Sequence, residues 1–378
     1  MTDGTRARRA YEPWFLSQGI VGFINAGGAA FLVAPLIVSQ GGSPADAGLV
    51  VGLLPFVALL SPVFGGVADR FLIHREMVLV GLAVLALASL VLFAAEQDLG
   101  YVAGALLFGT GGGLIIIANL GMLTGGGLGQ EKLSRQMGLL QMSLPLGQFT
   151  ALGLSAALLA LGVPLQSLFL MHAGVAVLGI VVLWGPTRAP AQRARQHQAG
   201  RVASASGPSK VGLRAVVLSA FGLFLLVNFL SQFGEQLVES QYPNYLNDVF
   251  TIDPEAAALT MAIAVLISAP LYPLSGRWAA TAGPKRPFMV AIAVRTLTVA
   301  GLAVLSLNQG ASLQVLAMLL FGLMIVVYPY FEVNTSLIAA RTSPIGPGAG
   351  QGFQGAATQA AGILGGFSAG WLASQLGY

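Results

Sequence analysis

The sequence contains no cysteine and few charged residues. Without cysteine the chain cannot form a disulfide, a thiolate nucleophile or a thiolate metal site. Only 8% of its 378 residues are charged, 18 basic and 14 acidic. A water-soluble chain of this length would carry more charge on its surface, because Lys, Glu, Arg and Asp make up much of that surface. The scarcity of charge therefore argues against a soluble globular protein.

Sequence motifs of enzymatic chemistry are also missing. The sequence has no GxxxxGK[ST] phosphate loop, no HExxH zinc motif and no GxSxG nucleophile turn. The glycine-rich stretch Gly109–Gly113 lies inside an apolar run and follows no strand pattern, so close helix packing explains it better than a nucleotide site. We expect neither an enzyme nor a cofactor or metal site.

Long apolar runs dominate what is present. The chain is 56% hydrophobic, with a mean hydropathy of +0.80. Because a bilayer-crossing helix needs about 20 mostly apolar residues, these runs predict a polytopic helical membrane protein, and no alternating strand pattern supports a β-barrel. The eleven predicted spans are 14–38, 46–68, 77–96, 100–124, 136–160, 165–185, 213–238, 256–276, 287–306, 313–338 and 350–374.

The basic residues predict the orientation. With the amino terminus in the cytoplasm and the spans alternating, every one of the 18 Lys and Arg residues except Arg295 falls on the cytoplasmic side or in its loops. This is a strong positive-inside bias. The membrane topology therefore explains the pI of 9.6, and no nucleic-acid partner is needed to account for the basic residues. The expected location is the inner (plasma) membrane of a bacterium.

One linker and one internal repeat organise the chain. Residues 185–210 are rich in Pro, Ala, Ser, Gly and Arg and predict a flexible basic cytoplasmic connection. The predicted division is a membrane bundle over residues 1–186, a linker over 187–211 and a second bundle over 212–378. A shift of 211 positions brings Pro273 onto Pro62 and Arg286 onto Arg75, so the halves are related. Two related bundles joined by a cytoplasmic linker suggest the parallel-repeat transporter plan.

The loop after the second span carries the most specific motif. Gly65-x-x-x-Asp69-Arg70, followed by Arg75, resembles the loop between the second and third helices of the major facilitator superfamily. The second copy retains a glycine and the basic end of the motif, but Leu72 replaces a later glycine in the first copy and Ala280 replaces the aspartate in the second. The retained residues of the second copy are Gly276, Gly283, Lys285 and Arg286.

The resemblance covers essentially the whole chain and implies a fold and a function. The implied fold is an all-α polytopic membrane protein with two pseudo-symmetric six-helix-type bundles. In that family the loop helps to hold the cytoplasmic face closed, which gives Asp69 a gating role. For Arg70 and Arg75 the alternative is that they only fix the topology of the chain in the membrane. The family usually has twelve spans, and the partner of the sixth span would begin near residues 374–377. The expectation is therefore a missing twelfth helix or a protein that works with eleven.

Four polar residues form a stripe on the predicted seventh span. The spacings of four, three and four place Asn228, Gln232, Glu235 and Glu239 on one helical face. Polar residues inside a bilayer are costly and are functional candidates by default. We expect the stripe to line a substrate or coupling cavity, with a solvated rim as the alternative for Glu239.

Arg295 and Glu332 form a second candidate pair. Each lies eight or nine residues from the cytoplasmic end of its predicted span, so the two reach similar depths. Because a buried arginine without an acid partner is expensive, we expect them to pair or to face one aqueous cavity. A structural ion pair is the alternative, and Glu332 is also a candidate to carry a transported proton.

The first half offers fewer polar candidates. Asn25 lies in the middle of the first span and Asn119 in the fourth, and the resemblance implies that these two helices line the path. Hydrogen bonding between helices is the alternative for both.

Together these residues favour a secondary active transporter of a small solute, with proton coupling open. The expected partners are that solute, protons if coupling exists, and membrane lipids, and the expected state is a monomer. Two alternatives stay open: a non-transporting relative that assembles a membrane complex or delivers pigment, and a lipid flippase. Substrate and direction are not predicted.

Overall fold

Helices make up all of the regular structure that can be described. The computed structural model describes residues 11–41, 44–204, 213–240, 242–252, 254–307 and 313–376, and no strand occurs among them. This is the expected outcome of long apolar runs, since a helix satisfies its own backbone where no water is available. The all-α fold class is confirmed.

The first half contains eight α-helices, with shorter 3₁₀ and π segments between some of them. The π-helix Gly22–Ala29 joins α1 to α2, and the 3₁₀ segment Phe56–Leu60 joins α3 to α4. The helices are α1 Leu16–Val21, α2 Ala30–Ser39, α3 Pro44–Leu53, α4 Ser61–Phe71, α5 His74–Phe93, α6 Asp98–Gly125, α7 Gln130–Ala160 and α8 Leu168–Leu183.

One helix, α9 Arg188–Ser204, follows the first half, and nine more form the second half. Several predicted spans are broken here, as between the helices on either side of Val327. The helices are α10 Leu213–Val217, α11 Ala220–Glu239, α12 Tyr242–Phe250, α13 Pro254–Ser268, α14 Leu271–Ala282, α15 Lys285–Ser306, α16 Gln314–Val326, α17 Tyr328–Thr342 and α18 Pro347–Leu376.

Within the described residues, eight helical stretches are long and apolar enough to cross a bilayer. A ninth is added when Leu259–Ser268 and Leu271–Ala282, which are bent by 42°, are counted as one span. Helical segments coincide with each of the eleven predicted spans, but the count of eleven is not confirmed. The structure has fewer such stretches than the eleven predicted spans because some predicted spans are interrupted by breaks in the helix and others have low hydropathy.

Helix packing links the two halves as well as each half internally. In the first half α5 packs against α6 and α8, and α1 and the adjoining π-helix pack against α7. Between the halves α4 packs against α18 and α7 packs against α14. The two crossed pairs are equivalent under the internal repeat, since each joins the second helix of one half to the fifth helix of the other.

Glycines allow these crossed pairs to approach closely. An added Cβ at Gly65 on α4 would lie 2.8 Å from the nitrogen of Ala349 on α18, and an added Cβ at Gly276 on α14 would lie 3.3 Å from the backbone of Gly138 on α7. A side chain would force these backbones apart. Both glycines of the repeated motif therefore lie at contacts between the halves.

The connection between the halves differs from the prediction. Residues 188–204 form helix α9 rather than a flexible chain. Two residues of this helix, Ala191 and Ala194, are buried. Arg193 pairs with Glu12 at 2.7 Å, and Arg195 pairs with Glu76 at 2.9 Å. The apolar alanines and these ion pairs hold α9 against the first half. Residues 205–212 of the predicted linker lie outside the described part of the chain.

Both copies of the repeated loop contain a residue with positive φ, although their ψ angles differ. Leu72, which follows α4, has φ 54° and ψ 37°, and its repeat partner Gly283 has φ 77°. Positive φ is costly for a residue with a side chain but not for glycine. The departure of Leu72 from the motif therefore places a leucine where the backbone favours glycine.

Candidate functional site

One end of the molecule carries the repeated loops, and we call it the basic face, defined by Arg70, Arg75, Arg195 and Arg286. Asp69, at the end of α4, accepts hydrogen bonds from the backbone N–H groups of Gly348 at 3.0 Å and Ala349 at 2.9 Å. These N–H groups belong to the first turn of α18, where the helix dipole favours a negative charge. Asp69 therefore joins the first half to the second.

Two further side chains reach the same carboxylate. His74 Nε2 lies 3.4 Å from Asp69 Oδ1, and Gln198 on α9 donates to that oxygen at 3.3 Å. His74 is 1% exposed. Sequence reasoning missed His74 and Gln198, because neither belongs to the repeated pattern and α9 was expected to be unstructured.

The basic residues of the motif, unlike Asp69, do not contact the first turn of α18. Arg75 donates to the carbonyl oxygen of Trp184 at 3.1 Å and lies 4.7 Å above its ring, so it anchors the end of α8. Arg70 and Arg286 are exposed. Of the motif residues, Asp69 and the two glycines lie at the junction between the halves, within the packed pairs α4–α18 and α7–α14.

A charged cluster lies inside the second half, where α11 and α15 meet. Arg295 on α15 forms an ion pair with Glu235 and donates to Gln232 Oε1 at 3.2 Å, both on α11. The guanidinium also lies 4.6 Å from the ring centre of Phe331 and 5.7 Å from that of Tyr328. A buried charge of this kind is stable only when it is paired and surrounded by favourable partners.

The expected pairing of Arg295 with Glu332 is wrong. Glu332 accepts a hydrogen bond of 2.6 Å from the hydroxyl of Tyr272 on α14. The reason is angular: neighbouring residues on a helix point about 100° apart, so Phe331 turns towards Arg295 and Glu332 turns away to α14. Glu235 takes the position opposite Arg295.

The residues of the polar stripe on α11 form hydrogen bonds with different partners. Asn228 donates to Thr358 Oγ1 on α18 at 2.9 Å, and Glu239 accepts from Gln236 on the same helix at 3.1 Å. Asn228 is fully buried and Glu239 is partly exposed. The stripe therefore lies along helix contacts, with two of its members, Gln232 and Glu235, in the charged cluster.

The first half contains an uncharged polar network. Asn119 on α6 accepts from Ser17 at 2.9 Å and donates to Gln18 at 3.0 Å, both on α1. Asn25 donates to the carbonyl oxygen of Phe108 at 3.2 Å, and its own Oδ1 is buried without a hydrogen-bond partner. Asn119 therefore forms hydrogen bonds between helices, which is the alternative that the sequence left open.

This network continues into the second half. Gln141 on α7 accepts from Gln18 at 3.4 Å and donates to Ser336 on α17 at 3.4 Å, and Gln351 on α18 donates to the Ser336 carbonyl at 2.8 Å. Gln18, Ser336 and Gln351 were not among the predicted site residues. The sequence offers a signal for Gln18 and Gln351, because each is a polar residue inside an apolar run. It offers none for Ser336, because nothing in the sequence distinguishes this serine from the others.

The two clusters offer different chemistry. The first half presents amide and hydroxyl groups that can exchange hydrogen bonds with a neutral solute or with the second half. The second half presents a cation and two carboxylates that can exchange charged partners. Among the described residues no group of three or more His, Asp or Glu side chains could hold a metal ion.

Comparison with known proteins agrees with this architecture. A model of the Major Facilitator Superfamily matches residues 15–366, while a search of curated proteins finds no match. Similar solved structures include the human organic anion transporter MFSD10 (TETRAN), at 17% identity and a TM-score of 0.69 over 97% of this chain and 93% of that one. A bacterial homologue of the iron transporter ferroportin in an outward-facing state shares 16% identity and a TM-score of 0.72, over 96% and 92%.

A third similar structure is the proton:xylose symporter XylE bound to 6-bromo-6-deoxy-D-glucose, with 14% identity and a TM-score of 0.69 over 96% of this chain and 89% of that one. At these identities the structures show the fold alone, and the family model supplies the assignment. The chain therefore belongs to the Major Facilitator Superfamily and is a membrane transporter.

Proposed function

We propose that the protein is a secondary active transporter that moves a small solute by alternating access, with the basic face in the cytoplasm of a bacterium. The observation that carries this proposal is the charged cluster of Arg295 and Glu235 inside the second half. Ionisable groups inside membrane helices are retained at a cost and mark substrate or ion pathways.

The contacts between the halves support a rocking motion. Asp69 holds the first turn of α18 through two hydrogen bonds, and Gly65 lets the two backbones touch. The proposed motion separates the crossed pairs α4–α18 and α7–α14 at the basic face. We infer that the hydrogen bonds of Asp69 form when this face closes and break when it opens.

Proton coupling is assigned to the carboxylates of the second half. Glu332 accepts from the neutral hydroxyl of Tyr272, so it can take up a proton without leaving a cation unpaired. Glu235 is the counter-ion of Arg295, so its protonation requires that an anionic group of the solute replaces it at the guanidinium. The proposed cycle protonates one of them in one orientation of the halves and releases the proton in the other.

Solute flux in proteoliposomes with an imposed pH gradient tests this function. The wild type is compared with Glu235→Gln, Glu332→Gln and the control Glu96→Gln, which changes an exposed acid in the loop before α6. We expect gradient-driven flux in the wild type and the control, and flux at the level of empty liposomes in Glu235→Gln. A folded, inserted protein with no flux for any screened solute would favour the non-transporting assembly alternative.

A flippase is the second candidate function, and one observation favours it. A cavity of about 530 Å³ lies between α11 and α15, and Leu230 on its wall is 56% exposed. Translocation of a fluorescent phospholipid in the same liposomes distinguishes a flippase from a solute transporter.

A further inference from the structure

Tyr272 lies where three helices from both halves meet, α7 of the first half and α14 and α17 of the second. It is 4% exposed, and its hydroxyl donates to Glu332 on α17 at 2.6 Å. Its backbone faces α7, since a Cβ added at Gly138 would lie 3.1 Å from the Tyr272 carbonyl carbon. One residue therefore touches the first half with its backbone and a buried carboxylate with its side chain.

Helix α14 begins beside a bend. The segments Leu259–Ser268 and Leu271–Ala282 are bent by 42°, and Pro270 lies at the break between them. Proline has no N–H to bond to the preceding turn, so the two segments can change their relative angle without breaking a backbone hydrogen bond there. Because Tyr272 is in the first turn of α14, a change in its side-chain partner acts next to the point about which α14 can turn.

Hydrogen bonds hold α14 against α17. Besides the bond from Tyr272, Asn334 on α17 donates to the hydroxyl of Ser275 on α14 at 2.9 Å. Helix α7 rests on both of these helices, because it packs against α14 while Gln141 donates to Ser336 on α17 at 3.4 Å. A shift of α14 relative to α17 therefore cannot preserve both contacts of α7 with the second half.

The equivalent residue of the first half makes no such link. A shift of 211 positions places Ser61, at the start of α4, at the site of Tyr272. Its backbone lies against α18 in the same way, since a Cβ added at Gly352 would lie 2.6 Å from the Ser61 carbonyl carbon. Its hydroxyl, however, donates to the carbonyl oxygen of Ala58 just before α4. The residue in this position therefore reaches a carboxylate at the α7–α14 crossing but not at the α4–α18 crossing.

We propose that Tyr272 is a positioning residue that couples the protonation of Glu332 to the contact between α7 and α14. The ionised carboxylate only accepts hydrogen bonds, so the bond from Tyr272 is charge-assisted. Glu332 is partly exposed, and a proton from water forms an O–H bond on its carboxylate while Tyr272 keeps its own proton. The bond that remains is neutral and weaker. Protonation thereby loosens α14 from α17 and favours opening of the basic face.

The proposal deepens the proposed function, on which it rests for its role in transport but not for the link itself. The titratable and charged groups that face this site are Tyr272 on α14, Tyr328 on α17, Arg295 on α15 with its counter-ion Glu235, and Glu239 on α11. Helices α16 and α18 contain no ionisable residue in their described ranges, and α7 meets α17 through the amide of Gln141.

Electron spin resonance distances across the α7–α14 crossing test the link in the full chain, reconstituted in phosphatidylcholine nanodiscs. Spin labels at Lys132→Cys on α7 and Arg277→Cys on α14, both exposed positions in a cysteine-free background, are measured over a series of pH values. We expect the ratio of long to short distances to rise about tenfold from alkaline to acidic pH, as the loss of one charge-assisted hydrogen bond implies. Glu332→Gln, which cannot ionise, should keep the long-distance population at every pH.

Two changes at Tyr272 isolate its hydroxyl. Tyr272→Phe keeps the ring but removes the donor, so the distance ratio should lose its pH dependence. Replacement of Tyr272 by 3-fluorotyrosine makes the hydroxyl a stronger donor and should move the midpoint of the response to lower pH. Tyr245→Phe on α12 is the matched control, because it removes a hydroxyl that donates to the carbonyl oxygen of Leu302 at 2.9 Å. The control should keep the response of the wild type.

A wild-type distance ratio that does not change with pH, or a pH response that survives Tyr272→Phe or Glu332→Gln, overturns the proposal. If Tyr272→Phe does not insert, the fluorotyrosine variant decides, and an unmoved midpoint then counts against the link. A pH response that depends on both residues, in a protein without solute flux, would uphold the link while the proposed transport function fails.

Discussion

The two halves of the molecule share helices and a repeated loop but hold their interior polar groups differently. In the first half Asn119, Ser17 and Gln18 form an uncharged network, and α8 covers the outer face. In the second half Arg295 and Glu235 form an ion pair that lines a cavity between α11 and α15. The difference suggests that the first half serves as the more rigid support, while the second half carries the groups that change partners.

The largest expected effect comes from breaking the ion pair of the second half. Arg295→Gln leaves the Glu235 carboxylate buried without a cation and should lower the free energy of unfolding by about 3–5 kcal/mol. Denaturant titration in mixed micelles measures this change.

Two comparisons sharpen that prediction. The double variant Arg295→Gln with Glu235→Gln should recover most of the loss, and Asn119→Leu in the first half should cost only about 1 kcal/mol, because it removes uncharged hydrogen bonds. Equal losses for Arg295→Gln and Asn119→Leu would contradict the distinction between the halves.

The second effect concerns the junction between the halves. Gly65→Ala places a Cβ 2.8 Å from the nitrogen of Ala349 and should destabilise the closed basic face by about 1–3 kcal/mol. Gly66→Ala is the matched control, because no neighbouring atom lies within 4 Å of its added Cβ. Accessibility of the nearly isosteric Ser134→Cys, at a residue that is buried where α7 meets α14, reports opening in the cysteine-free background.

A gain is expected at the loop of the first half. Leu72 has the positive φ that its repeat partner Gly283 also has, so Leu72→Gly should relieve backbone strain of about 1 kcal/mol. Thermal unfolding measures the gain. An unchanged or lower stability would show that the carbonyl contact of Leu72 with Arg195, at 2.7 Å, outweighs the strain.

The smallest effect is a pH dependence of α9. Burial raises the pKa of Glu12, but hydrogen bonds from Arg193, Trp14 and Gln136 outweigh it and leave this pKa below its ordinary value of 4.5. A depressed pKa stabilises the folded arrangement above the ordinary value, and this stabilisation is lost as the pH falls through the folded pKa. The protection factors of the α9 amides, which are corrected for the intrinsic pH dependence of exchange, should therefore fall below about pH 4.5, and Glu12→Gln should remove that change.

Sequence reasoning reached the helices, the family and several polar residues, because apolar runs and residue spacing encode them directly. It placed Glu235 and Gln232 on one face, and the structure brings both to Arg295. It chose Glu332 as the partner of Arg295 from equal depth alone. Depth follows from counting residues, but the partner depends on how each helix is rotated about its axis, which the packing of α11, α15 and α17 decides.

Other features depended on contacts between distant segments. Helix α9 has the composition of a linker, and its stability comes from Glu12 and Glu76 rather than from its own sequence. Gln198 likewise meets Asp69 only after α9 docks. Three breaks within predicted spans lie beside Pro55, Pro270 and Pro329. Proline has no N–H to continue a helix, and a count of spans from hydropathy alone ignores that signal.

The most direct test of alternating access is a distance measurement between the halves. Spin labels at Arg70→Cys and Arg286→Cys, both exposed on the basic face, are compared in liposomes with and without a pH gradient. The account predicts a short-distance population for the closed face and a second, longer one that Gly65→Ala enriches. A single distance that neither the gradient nor Gly65→Ala changes would contradict it.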